Sequence, residues 1–253
     1  MKPGTWVEEY YQVLEFLYWE PQHLGKQTKP DSPWANRDRA MRHVREMEVT
    51  LNHQLNILFS LLPMGLRQNL IEFLTGRKPN GPIGVNSRAV RSMPCFQGNV
   101  TQPDLLFSDD GALWAIEMKV KAKTDLQQLA KYFLFAALES EGRPSPKKFA
   151  LGFLGPGPME SLFKEGFASL DLAREELLKG GIPDVLGGTA TAPHWATMEV
   201  IAASATLTFR TFKGLNEFLN TELAGLDPGH VGTESLALLI GGFQAELRSR
   251  TLI

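Results

Sequence analysis

The fold is decided by residues 103–133, which read PDLLFSDDGALWAIEMKVKAKTDLQQLAKYF. Two strand-like segments, Asp104–Phe107 and Leu113–Lys121, enclose Ser108-Asp109-Asp110-Gly111, whose Asp-Gly pair is typical of a β-hairpin turn. Thr124-Asp125-Leu126-Gln127 has the spacing of a capping box and predicts the start of a helix. The segment therefore predicts an antiparallel hairpin followed by a helix.

The predicted hairpin brings two acids and a lysine together. Because successive side chains of a strand point to opposite faces, Glu117 and Lys119 share one face. The other face carries the apolar side chains that can form the core side: Trp114, Ile116, Met118 and Val120. With a two-residue turn at Asp110-Gly111, Asp104 lies opposite Glu117, with Cβ atoms roughly 5 Å apart. With a four-residue turn Asp104 pairs with Ala115, and Glu117 lies on the diagonal of the same face.

Two interpretations of this cluster stay open on these residues alone. Two carboxylates that lie close together repel each other unless a positive charge lies between them. A divalent cation with oxygen ligands would satisfy Asp104 and Glu117, and Mg²⁺ suits one or two carboxylates together with phosphate oxygens. In the alternative, Lys119 neutralises the acids in a salt bridge without any metal.

The surrounding sequence resembles the PD-(D/E)XK nuclease superfamily. Pro103-Asp104 and, on the second strand, Glu117-Met118-Lys119 match the signature of that superfamily. The helix that follows carries Gln128-Leu129-Ala130-Lys131-Tyr132, which is similar to the Gln-x-x-x-Tyr element of the RecB and lambda-exonuclease branch. The resemblance covers about residues 38–155 and does not extend to the two ends of the chain.

The resemblance implies a metal-dependent hydrolase. Asp104, Glu117 and the backbone carbonyl of Met118 would bind Mg²⁺ or Mn²⁺, and Lys119 would stabilise the transition state. Hydrolysis of DNA, in preference to RNA, would leave 5′-phosphate and 3′-hydroxyl ends. Restriction, repair and defence against foreign DNA are the expected settings.

The first helix of that family often supplies another acid, and the predicted helix from about Asp38 to Leu62 offers one. At 100° per residue its apolar stripe comprises Met41, Val44, Leu51, Leu55, Leu58, Phe59 and Leu62. Glu48 falls inside this stripe, whereas Glu46 lies on the opposite side. A carboxylate that points into a core is costly unless it is paired or binds a metal. Glu48 is therefore the candidate for the helix-borne metal ligand, and the alternative is a glutamate at the stripe edge that reaches water.

The helix after the hairpin adds two polar candidates. Gln128 and Tyr132 are four residues apart and lie on one helix face, where they could orient a metal ligand or touch the nucleic-acid backbone. We count Gln128 among the catalytic candidates and Tyr132 among the nucleic-acid contacts. A solvated helix edge is the alternative.

Basic residues near these motifs predict where phosphates would bind. The net charge of the chain is −2, so a basic surface for DNA has to be local. Arg45 precedes Glu48, and Lys121 and Lys123 follow the hairpin, with Lys121 expected on the strand face of Glu117. An ordinary charged surface would account for these residues equally, since acids are as numerous overall.

The rest of the chain predicts an α/β fold: a restriction-endonuclease-like core with a mixed central sheet flanked by helices. We expect a single domain over residues 1–253. Its parts are a helical extension and linker at 1–35, the core at 38–210 and terminal helices at 211–253. The pattern predicts helices at 5–19, from the Thr124–Gln127 capping box to about Ser140, and at 159–179, 213–223 and 232–248. It predicts strands at 148–154 and 196–203, and a long loop at 76–99.

Composition restricts the class and location of the protein. With 43% hydrophobic and 21% charged residues the chain is an ordinary globular protein. The single cysteine, Cys95, excludes an internal disulfide and a multi-cysteine zinc site. The start of the chain lacks the pattern of a signal peptide and no apolar run is long enough to cross a bilayer, so we expect a cytoplasmic protein without a membrane partner.

The apolar ends of the chain leave a second function open. They lack a recognisable DNA-reading motif, which favours a nuclease-fold subunit or interaction protein of a larger nucleic-acid-processing complex without independent activity. A homodimer and a partner subunit are both compatible with such ends.

Overall fold

The protein divides into two compact units. The computed structural model describes residues 5–19, 36–85, 101–182, 186 and 193–253. The first unit comprises Met1–Leu62 and Asn216–Ile253, and the second comprises Pro63–Leu215. The core predicted at residues 38–210 is thus shared between the two units. The linker predicted around Pro21, Pro30 and Pro33 lies outside the described residues.

The elements follow one another in an α/β order. The helices whose bounds are described are α1 (Trp6–Trp19), α2 (Arg37–Glu46), α3 (Glu48–Leu61), α4 (Met64–Thr75), α5 (Leu126–Leu138), α6 (Leu170–Gly180), α7 (Trp195–Ser204), α8 (Phe212–Ala224) and α9 (Thr233–Ser249). The strands are β1 (Gly84–Val85), β2 (Leu105–Ser108), β3 (Ala112–Met118), β4 (Lys148–Gly155) and β5 (Thr206–Thr211). None of these helices is long and apolar enough to cross a membrane.

The strands form one mixed sheet in the second unit, in the order β1-β2-β3-β4-β5. The pairs β1–β2 and β2–β3 are antiparallel, whereas β3–β4 and β4–β5 are parallel. Helix α5 connects the parallel strands β3 and β4, as such a crossover requires. The predicted α/β class with a mixed sheet flanked by helices is confirmed at this level.

The hairpin of β2 and β3 has the register that a two-residue turn predicts. Leu105 lies opposite Ile116, and the pairing continues to Ser108 and Leu113. At the turn, Oδ1 of Asp109 accepts hydrogen bonds from the backbone N–H groups of Gly111 and Ala112, at 2.8 and 2.7 Å. This side-chain turn closes the loop around Asp110-Gly111 and fixes the register of both strands.

Both faces of the sheet are buried, so the expectation of a single core side was too simple. Leu113 and Ala115, on the face of Glu117, pack with α5 in a cluster of buried side chains. On the opposite face Trp114 donates its indole N–H to the carbonyl of Arg77, just after α4, at 2.9 Å. A Cβ atom on Gly152 would lie 2.3 Å from the carbonyl oxygen of Leu74, so α4 lies against the sheet there.

The prediction of one helix from Asp38 to Leu62 was wrong. The helix breaks at Met47, whose backbone is extended with ψ at 135°. The hydroxyl of Thr50 donates to the carbonyls of Val44 at 2.8 Å and Met47 at 2.7 Å. A hydroxyl that binds backbone carbonyls competes with the helical hydrogen bonds at this point. Glu48 is therefore the first residue of α3. The predicted stripe is interrupted at Met47, so the angle of 100° per residue does not align Glu48 with Met41 and Val44 of α2.

Two predictions between residues 159 and 211 were also wrong. A short 3₁₀ helix covers Met159–Ser161, and α6 begins only after Ser169, whose Oγ accepts the N–H of Leu172 at 3.2 Å. The strand predicted at 196–203 is the helix α7, which buries Met198, Ile201 and Ala202. Their spacing of three and four residues is helical, whereas the alternating Thr206–Thr211 forms the last strand.

Five further elements agree with their predictions, whereas no helix was predicted at the position of α4. Helices α1, α5, α8 and α9 and strand β4 match the predicted segments to within about two residues. Of the predicted loop at 76–99, residues 84–85 form β1, and residues 86–100 lie outside the described part of the chain.

Candidate active site

The candidate site forms at the end of the hairpin away from its turn. Asp104 directly precedes β2, and the register of Leu105 with Ile116 continues by one residue to Asp104 and Glu117. Oδ2 of Asp104 accepts the backbone N–H of Met118 at 2.6 Å. The carboxylate of Asp104 is therefore held against the strand that carries Glu117, as the two-residue turn predicts.

Glu117 is a buried acid with a lysine as its ionic partner. The residue is 6% exposed. Nζ of Lys119 lies 2.7 Å from Oε1 of Glu117, and the lysine side chain is 12% exposed. The strand ends at Met118, but the N–H of Lys119 still donates to the carbonyl of Leu154 on β4 at 2.8 Å. This last sheet-like bond keeps Lys119 on the side of Glu117.

Helix α5 supplies two further donors to the same carboxylate. Nε2 of Gln128 donates to Oε1 of Glu117 at 3.1 Å, and the hydroxyl of Tyr132 donates to Oε2. Gln128 and Tyr132 lie on one helix face and both donate to Glu117, which agrees with the prediction that they could orient a metal-ligand candidate. The prediction that Tyr132 contacts nucleic acid was wrong, because its side chain is completely buried. The alternative of a solvated helix edge is contradicted for Tyr132, which is completely buried.

The start of α5 differs from the predicted capping box. Asp125, not Thr124, is the N-cap, and its Oδ1 accepts the N–H of Gln128 at 2.8 Å. Lys164 pairs with the other oxygen of Asp125 at 2.7 Å. Burial raises the pKa of Asp125, but the hydrogen bonds from Lys164 and the Gln128 N–H outweigh it and lower that pKa. An ionised aspartate therefore stabilises the N-terminus of α5.

Thr124 is a site residue that the sequence analysis missed. Its side chain is buried, and its hydroxyl donates to Oε1 of Gln128 at 3.0 Å. With its oxygen bound to Thr124, the amide of Gln128 has its NH₂ group directed to Glu117. The available signal was the spacing of four residues between Thr124 and Gln128, which allows a side-chain hydrogen bond as well as a helix cap.

The electrostatics of the site keep Tyr132 protonated. Burial raises the pKa of Tyr132 well above its ordinary value of 10.0, and the charge and hydrogen bond of Glu117 raise it further. The charge of Asp104 acts in the same direction, whereas a hydrogen bond with Thr101 lowers the pKa. The hydroxyl is thus a permanent donor to Glu117 at neutral pH.

The donor set fits a cation that retains water and phosphate ligands. Asp104 and Glu117 present carboxylate oxygens, and the Met118 carbonyl follows directly in the chain. An ionised carboxylate has about four acceptor sites. Three donors, from Lys119, Gln128 and Tyr132, approach Glu117. Within the described ranges, no group of three or more His, Cys, Asp or Glu side chains could hold a metal. Two carboxylates suit Mg²⁺ or Mn²⁺, but not a closed all-protein site.

Two predicted site residues, Arg45 and Glu48, belong to the first unit, whereas Asp104 and Glu117 belong to the second. Glu48 is half-buried at the first position of α3. The guanidinium of Arg45 lies over the ring of Tyr11, 4.7 Å from its centroid. Metal binding by Glu48 and phosphate binding by Arg45 stay predictions.

Lys121 and Lys123 lie in the exposed segment between β3 and α5. Because β3 ends at Met118, strand alternation does not extend to Lys121, and its placement on the face of Glu117 stays a prediction. Both lysines nevertheless line a cavity together with Lys119.

Comparison with protein-family models, curated proteins and solved structures finds no match to this chain.

Proposed function

We propose that the protein is a metal-dependent nuclease of the PD-(D/E)XK kind that hydrolyses phosphodiester bonds of DNA. The observation that carries the proposal is the placement of Asp104 beside Glu117 with the ammonium of Lys119 at 2.7 Å from Glu117. An antiparallel hairpin, a crossover helix and a parallel strand support the expectation of a restriction-endonuclease-like core around these residues.

The paired acids have an electrostatic reason to bind a cation. Two carboxylates on neighbouring strand positions repel each other when both are ionised. Lys119 supplies one positive charge, which leaves the Asp104–Glu117–Lys119 group with a formal charge of about −1. A divalent cation at the two acids would reverse that sign and attract a phosphate diester. Asp104, Glu117 and the carbonyl of Met118 would hold it.

Mg²⁺ or Mn²⁺ would supply Lewis-acid chemistry at this point, polarising the phosphate and lowering the pKa of a bound water. Lys119 would place its ammonium where negative charge develops on the phosphate oxygens. Gln128 and Tyr132 hold both oxygens of Glu117 in one orientation, so the site needs little rearrangement. Thr124 in turn fixes the amide of Gln128.

The proposed reaction is a hydrolysis that balances without any redox partner. The oxygen of a water molecule forms a bond to phosphorus, and the bond from phosphorus to the 3′ oxygen breaks. The water gives up a proton to solvent, and the 3′ oxygen takes one from solvent. The products carry a 5′-phosphate and a 3′-hydroxyl.

The direct test is cleavage of plasmid and linear duplex DNA by the purified full chain in Mg²⁺, Mn²⁺ or EDTA. We expect cleavage that requires the metal and that Glu117→Gln abolishes, because the amide lacks a carboxylate charge. Glu160→Gln, in the exposed 3₁₀ helix, is the matched control and should cleave like wild type. Equal cleavage by Glu117→Gln, with an unchanged circular dichroism spectrum, would contradict the proposal.

The second candidate is a nuclease-fold subunit or interaction protein without independent activity. The observation that favours it is the ion pair of Lys119 with Glu117, which neutralises that acid within the protein itself. Calorimetry with Mn²⁺ separates the two candidates. Binding that Asp104→Asn and Glu117→Gln each abolish supports the nuclease, whereas no binding together with a co-purifying subunit supports the second candidate.

A further inference from the structure

A cavity of about 200 Å³ opens beside the candidate active site. It lies where the parallel strands β3 and β4 end, and Lys119 is part of its wall. Ligands of open α/β sheets commonly bind outside the carboxyl ends of the strands. The position alone therefore indicates a ligand site that is continuous with the proposed catalytic centre.

The charge of the cavity wall selects an anion. Three lysines line it, Lys119, Lys121 and Lys123, and the described residues of its wall include no aspartate or glutamate. Lys119 is bound to Glu117, and Lys121 and Lys123 are exposed residues of the same lining. A phosphate is the anion that such ammonium groups bind in nucleic acids.

Another part of the cavity lining is apolar and closely packed. It comprises the loop Gly155-Pro156-Gly157 and the half-buried ring of Phe209 on β5. A Cβ atom on Gly155 would lie 3.2 Å from Cε2 of Phe209, and one on Gly157 would lie 2.8 Å from Oγ of Ser161. These glycines therefore allow the loop to lie directly against its neighbours. An aromatic ring together with basic side chains is the combination that binds single-stranded nucleic acid.

We propose that this cavity is a nucleotide subsite. Lys121 and Lys123 bind a backbone phosphate next to the scissile one, and Phe209 packs against the sugar or base of the same nucleotide. The inference rests on the proposed function, since nucleic acid is the ligand, but it concerns binding and not cleavage.

The test measures binding of a fluorescein-labelled single-stranded DNA oligonucleotide to the full chain in EDTA, by anisotropy over a range of salt concentrations. Each neutralised phosphate contributes a slope of about 0.7 to the dependence of log K on log salt. Because the two lysines bind one phosphate, we expect the double variant Lys121→Gln/Lys123→Gln to reduce the slope by about 0.7 and to weaken binding at least tenfold.

Lys148→Gln/Lys179→Gln is the matched control for charge. Both lysines are exposed outside the cavity wall, at the start of β4 and near the end of α6. The control variant should keep the wild-type dependence of log K on log salt. An equal loss of slope in both double variants would overturn the inference, because binding would then follow total charge.

A second variant tests the apolar wall. Phe209→Leu should weaken binding of the normal oligonucleotide about fivefold or more and have a smaller effect on an abasic oligonucleotide. Inorganic phosphate is the third probe. If it displaces the oligonucleotide only weakly, the ligand is a nucleic acid, and saturable phosphate binding without oligonucleotide binding would overturn the inference.

The outcomes separate this inference from the proposed function. Metal-dependent cleavage with unaltered binding in the cavity variants would overturn the subsite and leave the nuclease intact. Altered binding without cleavage under any metal would support the subsite and contradict the catalytic proposal.

Discussion

Among the residues that the structure describes, two buried glutamates have similar surroundings and different consequences. Glu117, in the second unit, accepts a hydrogen bond from Tyr132 and pairs with Lys119 at 2.7 Å. Glu246, in the first unit, accepts a hydrogen bond from Tyr11 at 2.5 Å and pairs with Arg250 at 2.7 Å. Both glutamates are almost inaccessible to solvent. A buried acid with a tyrosine and a cation is therefore no sign of catalysis by itself.

The cations distinguish the two clusters. The guanidinium of Arg250 also donates to the carbonyl of Met47 at 3.1 Å, to Oγ1 of Thr50 at 2.8 Å and to the hydroxyl of Tyr11 at 2.8 Å. It thereby joins α1, the junction of α2 and α3, and the end of α9. This is a structural connection in which the arginine satisfies several acceptors at once.

Lys119 has a different setting. Its ammonium lies at the wall of a cavity, and its carboxylate partner has a second acid, Asp104, alongside. A compact ammonium on a flexible stem can leave one partner for another more readily than a guanidinium fixed by several acceptors. The second acid and the adjacent space, and not burial, make the Glu117 cluster the candidate for chemistry.

The largest expected effect concerns the structural cluster. Arg250→Met should lower the free energy of unfolding by about 3–5 kcal/mol, because Glu246 would remain buried without its cation. Urea denaturation measures this change. Specific nuclease activity of the folded fraction should equal that of wild type. A loss below about 1 kcal/mol would show that the cluster is not a structural connection.

Lys119→Met should have the opposite profile. We expect cleavage to fall by about 10²- to 10³-fold, as when one transition-state donor is removed. The loss of stability should be smaller than for Arg250→Met, since Gln128 and Tyr132 still donate to Glu117. Single-turnover cleavage and urea denaturation check both parts. Near-full cleavage by the variant would count against the proposed role of Lys119.

The tyrosines allow a matched comparison of smaller size. Tyr132→Phe and Tyr11→Phe each remove one donor to a buried carboxylate, which should lower stability by about 1–3 kcal/mol. Cleavage should decrease only with Tyr132→Phe, because Tyr132 orients a proposed metal ligand. Equal effects of both variants on cleavage per folded molecule would remove the distinction between the clusters.

The smallest effect is a difference in alkaline pH dependence. Burial raises the pKa of both tyrosines above the ordinary value of 10.0, and that of Tyr132 is raised the further. A raised pKa in the folded state contributes stability below pH 10.0 that is lost as pH rises towards the folded pKa, by at most about 1.4 kcal/mol per pH unit.

Denaturation on both sides of pH 10.0 checks this sign. Tyr132→Phe should flatten the alkaline fall in stability more than Tyr11→Phe does. Lysines that titrate in the same range are common to all three proteins and cancel in the comparison. A steeper alkaline fall in Tyr132→Phe than in wild type would contradict the assigned direction.

The hairpin could be predicted from sequence because its signals are local. Asp109 fixes the turn through its own side chain, and alternation along β3 places Glu117 by itself. The contacts of Gln128 and Tyr132 also followed from a spacing of four residues on one helix.

Several failures involve interactions between residues distant in sequence, whereas the strand predicted at 196–203 overlooked the local helical spacing of α7. Thr50 and Arg250 bind the carbonyl of Met47 and stabilise the break between α2 and α3, although the hydrophobic pattern continues across it. The role of Thr124 depends on where α5 lies against the sheet. The cavity likewise requires Phe209, 90 residues after Lys119 in the chain, to lie on β5, which is separated from β3 by β4 in the sheet.

The central claim is that Asp104 and Glu117 share one divalent cation. Anomalous diffraction from crystals soaked in Mn²⁺ tests it most directly. We expect a peak that contacts both carboxylates, so that Glu117 binds the metal ion as well as the ammonium of Lys119. Crystals that contain Mn²⁺ elsewhere but no peak between these acids, with the Lys119–Glu117 distance still 2.7 Å, would contradict the claim.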